Sequence, residues 1–479
     1  MNLRCTTLLR PFLWLLLAVV LGLSSHKSAQ AETPDLQKPI TDQAYNLGSS
    51  KDGATKKKET SPPPPRQASK AKTKKKSKVR RRDPNRREYS ILPAINYNSD
   101  RGFGFGALGS IAQFRKGMFP YHWRLFFRLF ATVKIDEAGQ AEFPFHRDTI
   151  TLDLRGLLRN TTRIMVSAGF LRFTTTGYYG LGNAALRDPE QNAKYYQYDR
   201  MYPTASFGMF NQIWRKGLNR LEIYSSLSFT HNTITAYTGS KLEEDLRRSL
   251  RDNDPYSQTL RSMLRGLRPH TQLKAVLGIQ FDSRDHEFSP NQGMLHELSI
   301  RAILPGLAPG LAFAAGHLNL RFFIPIWKPY LTLAVRVLGD MIWGDAPLYE
   351  LYSMGGIIPL EGPGGMDTIR GIRAQRFYGK IKLVGNVEIR SVIFDFMLLR
   401  QRIRLGLIAF ADTGRVWTDY NFINDNTRRA FDGNEHGFTL AVGGGGRLQW
   451  GETFIMRVDF GWSPTDQDWG AYFWVNHIF

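Results

Sequence analysis

Residues 469–479, WGAYFWVNHIF, decide the fold. Five of these eleven side chains are aromatic, and the run closes on Phe479. Outer-membrane barrels commonly end in such a strand, whose terminal aromatic is used in recognition by the assembly machinery. The same architecture carries aromatic girdles at both membrane interfaces.

Upstream, apolar and polar residues alternate with the period of a strand that has two different faces. In 293–303, Leu298, Ile300 and Ala302 alternate with Glu297, Ser299 and Arg301. In 402–413, Ile403, Leu405, Leu407 and Ala409 alternate with Arg404, Gly406, Ile408 and Phe410. In 452–463, Phe454, Met456, Val458 and Phe460 alternate with Ile455, Arg457 and Asp459. Strands are predicted at 91–98, 102–115, 121–133, 147–157, 163–173, 199–213, 219–235 and 270–283. Eight more follow at 293–303, 312–326, 329–340, 376–391, 402–413, 437–449, 452–463 and 469–479. Each is about long enough to cross a bilayer when tilted. A soluble β-sandwich also alternates, so the decision rests on the C-terminal strand, the even count and the connections. Short turns (RKGMFPY, RNTT, RKGLN, GE) are set against longer loops, as in outer-membrane barrels. The expected fold class is all-β: a sixteen-stranded transmembrane antiparallel β-barrel over 91–479, in a bacterial outer membrane, with both chain ends periplasmic.

The N-terminus fits export. Arg4 and Arg10 precede an apolar run, Phe12 to Leu23, followed by Ala29-Gln30-Ala31, so residues 1–31 read as a signal peptide. An uncleaved anchor is the alternative, but the run is short for a span. The one Cys, Cys5, precedes the apolar run, so it is not a lipoprotein cysteine, and the mature chain offers no disulfide or thiol nucleophile. Residues 32–90 hold 17 Lys and Arg against 7 Asp and Glu, with KKKET, SPPPPRQ and KAKTKKKSKVRRRDPNRR. Such a stretch reads as a disordered basic Lys/Pro-rich linker. It takes +10 of the chain's formal +22, and the signal region takes +3. After export, nucleic acid is not an expected partner; the stretch reads first as a solvated tether, with an anionic envelope component binding residues 51–88 as the alternative.

Composition excludes two other classes. A polytopic helical protein needs several apolar runs of about 20 residues, and this chain has one, of about a dozen. At 13% aromatic content the chain as a whole is not disordered.

Between Gly239 and Pro269, Leu242, Leu246 and Leu250 recur at helical spacing, with Glu243–Arg247 and Glu244–Arg248 as favourable i,i+4 pairs. A short helical cap over the barrel mouth is expected there.

The segment GGIIPLEGPGGMDTIRGIRAQRFYGK (355–380) resembles the long inward-folding sixth outer loop of the BamA/TamA superfamily of outer-membrane assembly barrels, the bacterial surface antigen family. Its tip motif here is Ile369-Arg370-Gly371-Ile372, with Ile where an aromatic is more usual. LVGNVEIRSVIF (383–394) is similar to the family's next strand, with Glu388 in the acidic position. LGLIAFADTGRVW (405–417) is similar to the one after, with Asp412 in a Phe-x-Asp-x-Gly pattern. GIQFDSRDHEFSPNQG (278–293) resembles the family's strand-and-turn, a periplasmic turn motif carrying Asp282, Arg284 and Asp285. Four segments in order, with the C-terminal strand, cover most of 91–479. The resemblance implies insertion or translocation of proteins or lipids at the outer membrane. The family usually carries periplasmic POTRA modules of about 75 residues; the 59 residues after Ala31 are too few and too Lys- and Pro-rich, so a POTRA-less member is expected.

Strand parity gives a site independently. In 376–391, Ile381, Leu383, Val387 and Ile389 form the apolar face, so Lys382, Asn386, Glu388 and Arg390 point inward. Asp412 shares the inward parity of Arg404 and Gly406. A lumenal charge is costly unless paired, and an Arg fork suits carboxylates. Arg370 is therefore expected to pair with Asp412, with Glu388 close by, which the resemblance makes a loop lock; a purely structural contact is the alternative.

Three functions compete. One is insertion or translocation through a weakly zipped seam between first and last strands, near which Gly102, Gly104 and Gly106 would leave space. The second is a passive channel or structural barrel. The third, a barrel enzyme, needs a nucleophile and base, and no local signature surrounds His231, His296 or His477. No catalytic residue, cofactor or metal site is expected. The run GGGG at 443–446 lies inside a strand and marks a bend or close approach rather than a nucleotide site.

Overall fold

The computed structural model describes residues 85–98, 101–116, 121–135, 139–304, 306–398, 401–434, 437–450, 454–475 and 477–479. The expected signal peptide and all of the linker before residue 85 lie outside them.

The first eight strands are β1 (Arg87–Asn98), β2 (Gly102–Gln113), β3 (Trp123–Ile135), β4 (Ala141–Gly156), β5 (Thr162–Gly177), β6 (Gln197–Met201 continuing as Thr204–Lys216), β7 (Asn219–Ala236) and β8 (His270–Asp282). The second eight are β9 (Gly293–Ile303), β10 (Ala312–Trp327), β11 (Leu331–Asp345), β12 (Ile381–Ser391 continuing as Phe394–Leu398), β13 (Gln401–Trp417), β14 (Thr439–Trp450), β15 (Phe454–Ser463) and β16 (Asp468–Val475). Each pairs antiparallel with its chain neighbours, and β16 returns to β1, so sixteen strands close into one barrel.

Burial along the strands is inverted relative to a soluble protein, and this identifies the outer wall as the lipid-facing one. Leu298 is 59% exposed while its neighbours Glu297, Ser299 and Arg301 are buried. Val458, Phe460 and Trp462 are exposed while Arg457 and Asp459 are buried. Charged residues are seldom buried without partners, so the interior pairs its charges in polar networks, set beside buried apolar clusters. Among the described residues no helix is long and apolar enough to cross a membrane.

Several boundaries depart from those read in the sequence. The first strand begins at Arg87, inside the expected linker, because Arg87–Asn98 pairs residue for residue with Gly102–Gln113. The fourth begins at Ala141 rather than 147, paired from Ile135 onward. The twelfth begins at Ile381 rather than 376, because 376–380 is the outgoing limb of the sixth loop. The last strand stops at Val475. Phe479 therefore does not end a strand: it is buried in the lumen beside Phe323, with the guanidinium groups of Arg336 and Arg390 each 4.9 Å from its ring.

Among the described residues the seam is short: β16 meets β1 at Tyr97–Phe473 and Asn98–Tyr472, against twelve paired positions between β1 and β2. Pro93, which has no N–H to give a ladder, sits in β1, as suits an edge strand. The glycines expected at this seam are one strand away, in β2. There Gly104 makes room for the side chains of Asn96 and Phe130, and Gly106 for the main chain of Leu129.

Helices α1 (Lys241–Arg251) and α2 (Pro255–Met263) form the expected cap. Glu243 accepts from Arg247 at 2.8 Å. The second i,i+4 pair does not form. Glu244 accepts from the Tyr195 hydroxyl, while Arg248 lies over the Tyr256 ring and beside Asp254. Leu242 is buried and Leu250 is exposed, so the cap packs on Leu242, Asp245 and Ser249 instead of the leucine stripe.

Candidate functional site: the sixth loop in the lumen

The loop between β11 and β12, residues 346–380, turns inward. Its descending limb is a helical turn, α3 (Leu348–Tyr352), and a small ribbon pairing Ser353–Gly355 with Pro359–Glu361. Gly362, Gly364, Gly365 and Gly371 all take positive φ, a conformation that costs glycine little. These reversals compact the tip.

The structure brings the expected residues together at that tip. Arg370 donates through Nε and Nη2 to Asp412 at 2.8 and 3.0 Å, and through Nη1 to Glu388 at 2.6 Å. Its backbone N–H also donates to Asp412, at 3.0 Å. All three side chains are fully buried. The guanidinium lies 3.5 Å from the Phe410 ring centre, and Asn386 donates to Asp412 at 2.7 Å. Burial alone would lower the Arg370 pKa, but Asp412 and Glu388 more than reverse this and raise it. Gly371 gives its N–H to the Tyr472 hydroxyl of β16, at 3.2 Å. Ile369 and Ile372 pack with Leu338, Met354, Phe377 and Val384.

Further anchors hold the same loop. Arg301 forks onto Asp340 at 2.7 and 3.1 Å and reaches Glu350 at 3.1 Å, while Lys274 reaches Glu350 at 2.8 Å. Lys382 lies 3.2 Å from Asp340. Glu361 accepts from Arg101 and from Gln375, and Arg373 and Arg376 donate to Asp468 and Asp466.

Sequence reasoning missed Asp459, which lies 3.6 Å from Arg370 and 2.6 Å from Arg447, and also Asp340, Glu350 and Arg301. Asp459 had a readable inward parity. What was missing was the barrel's curvature, which brings β15 up to a tip already held by β12 and β13.

At the turn 283–292, Asp282 accepts from the Arg284 backbone and guanidinium and from Arg220. Asp285 accepts from the N–H groups of Asn291 and Gln292 at 3.0 and 3.2 Å. Arg284 and the two carboxylates thus shape the turn.

The chemistry available is ionic clamping. Among the described residues no acidic, His or Cys cluster has the make-up of a metal site. Ser299, His317 and Asp340 occupy paired positions on β9, β10 and β11. Ser299 donates to Glu297 at 3.0 Å, His317 Nδ1 lies 3.3 Å from Asp340, and Gly356 of the loop packs so closely on Ser299 that a Cβ there would lie 1.8 Å from its hydroxyl. His231 contacts the Thr271 hydroxyl, and His296 packs on Phe322.

The Omp85 superfamily domain matches residues 156–474. The fold resembles the crystal structure of BamA from Haemophilus ducreyi lacking POTRA domains 1-3, at 13% identity and a TM-score of 0.53, covering 82% of this chain and 70% of that one. It also resembles CdiB from Escherichia coli, at 10% identity and a TM-score of 0.50, covering 83% of this chain and 68% of that one. At these identities the likeness is one of fold. No curated protein matches the sequence.

Proposed function

The chain belongs to the Omp85 superfamily, and from that premise we propose that it inserts or translocates proteins or lipids at the bacterial outer membrane, without catalysis, with both termini periplasmic. The observation that carries this reading is the seam. Among the described residues β1 pairs with β16 at two positions, Tyr97–Phe473 and Asn98–Tyr472, against twelve with β2. A strand edge with unmet N–H and C=O groups is a template for another chain. The sixth loop seats its tip on inward-facing residues of β12 and β13, which favours the seam over the lumen as the route. In this reading Arg370, Glu388 and Asp412 lock the loop onto β12 and β13, while Gly371 at its tip reaches Tyr472 of β16, a strand of the seam that opens. The basic residues 51–88 serve as a tether to an anionic envelope component.

A cysteine pair at positions 97 and 473 tests the proposal. The one native Cys is Cys5. With Tyr97→Cys and Phe473→Cys oxidised, strains depleted of the native protein should show the same loss from the outer-membrane proteome or lipid asymmetry as full depletion, restored by reductant. Full activity with the seam crosslinked would refute it, and an envelope unchanged by depletion would favour a structural barrel. Deleting 51–84, which leaves β1 whole, without loss of association would remove the tether.

A further inference from the structure

Where β12, β13 and β14 approach the short turns, a cavity of about 40 Å³ lies beneath the turn 283–292. Asn291, Thr332, Arg390, Arg404, Arg447 and His477 stand in its wall, and among the described residues no carboxylate does. Arg390 and Arg447 are each more than nine-tenths buried. Arg390 uses Nε on Glu388 at 2.8 Å and Nη2 on the Phe479 carbonyl at 2.9 Å. Arg447 uses Nη1 on Asp459 at 2.6 Å. Arg390 Nη1 and Arg447 Nη2 are left buried with no hydrogen-bond partner among the described residues. Buried donors are rarely left unmet in folded proteins.

The neighbouring guanidinium groups are engaged elsewhere: Arg370 on Glu388 and Asp412, Arg336 on the Asp367 carbonyl, and Arg457 within 3.6 Å of Asp459. Two guanidinium forks facing one small space suit an oxyanion with several acceptors. The space is far below the several hundred Å³ of a site for a whole nucleotide or drug-sized molecule.

We propose that this cavity binds a phosphate group, held by Arg390 and Arg447 with Asn291 and Thr332 at its rim. The phosphate is either inorganic or the exposed end of a lipid headgroup whose body stays outside. Because Arg390 also holds the Phe479 carbonyl, the bound anion steadies the inward seat of residues 477–479. Such binding does not depend on the insertion reading.

The test uses the full chain in detergent, titrated with inorganic phosphate at constant ionic strength and followed by phosphorus NMR line broadening. A second arm uses phosphatidylcholine vesicles with and without phosphatidic acid. Saturable phosphate binding is expected, weakened about tenfold or more by Arg447→Gln. Asn291→Asp, which keeps both arginines and supplies a carboxylate to the cavity, should abolish it. Arg447- and Asn291-dependent binding in the phosphatidic acid arm alone assigns the phosphate to lipid. No saturable binding in either arm, or binding indifferent to both variants, overturns the proposal.

Discussion

Gly371 and Gly461 meet main chain to main chain. A Cβ on Gly371 would lie 2.7 Å from the Gly461 carbonyl carbon, and one on Gly461 would lie 2.8 Å from both the Arg370 carbonyl carbon and the Gly371 nitrogen. The loop tip can therefore reach Asp412 and Glu388 only because β15 presents a glycine at that level. Gly461→Ala should push the tip off the wall at roughly 1–3 kcal/mol, the usual cost of overpacking. Gly371→Ala adds backbone strain, since its φ is +89°. Both variants should lower the unfolding midpoint and expose residues 366–373 to protease. An unshifted midpoint in Gly461→Ala would show that the tip is seated elsewhere.

Arg370 is not replaceable by another cation. Its fork meets Asp412 with two nitrogens while a third reaches Glu388. Arg370→Lys keeps the charge but loses the bidentate geometry. Arg370→Ala leaves two buried carboxylates without their main partner, a loss on the order of 3–5 kcal/mol. Denaturant unfolding of the reconstituted barrel should rank wild type above Arg370→Lys, and that above Arg370→Ala. Equal midpoints for wild type and the Lys variant would show that charge alone suffices.

Glu388 and Asp412 were legible in the sequence because a strand's faces alternate strictly, so parity assigns them to the lumen without knowing the fold. Sixteen strands were legible for the same reason. Three features were not. The inward turn of Phe479 depends on whether β1 offers β16 a partner beyond Phe473, which is a matter of closure. Arg87 and Glu88 look like linker by composition, and only pairing with β2 makes them strand. The Glu244–Arg248 pair is lost to Tyr195 and Tyr256, aromatic neighbours that helical spacing cannot reveal.

The short seam predicts uneven amide exchange. The amides of β2 are flanked by ladders on both sides, whereas among the described residues β1 pairs with β16 at Tyr97 and Asn98 alone. Unpaired strand amides exchange from the native state without global opening. Hydrogen–deuterium exchange by mass spectrometry should show 87–96 labelling well ahead of 102–113. Equal protection would mean that the seam is zipped along its length in solution.

Glu350 makes the loop's hold depend on acid in a stated direction. Burial by itself raises its pKa, but Lys274 and Arg301 more than offset this and hold it at about 2, below the ordinary glutamate range. A carboxylate depressed in the folded state contributes stability that is complete above about pH 4.5 and fades as the pH falls to about 2. A pKa held that far below the ordinary glutamate value corresponds to about 3 kcal/mol. Glu350→Gln should therefore be less stable than wild type by about that amount at neutral pH, and the difference should close as both are titrated to about pH 2. Comparison at each pH cancels the other groups that titrate in that range. A stability gap independent of pH would mean that the variant acts through packing of α3, not through the charge that Lys274 and Arg301 share.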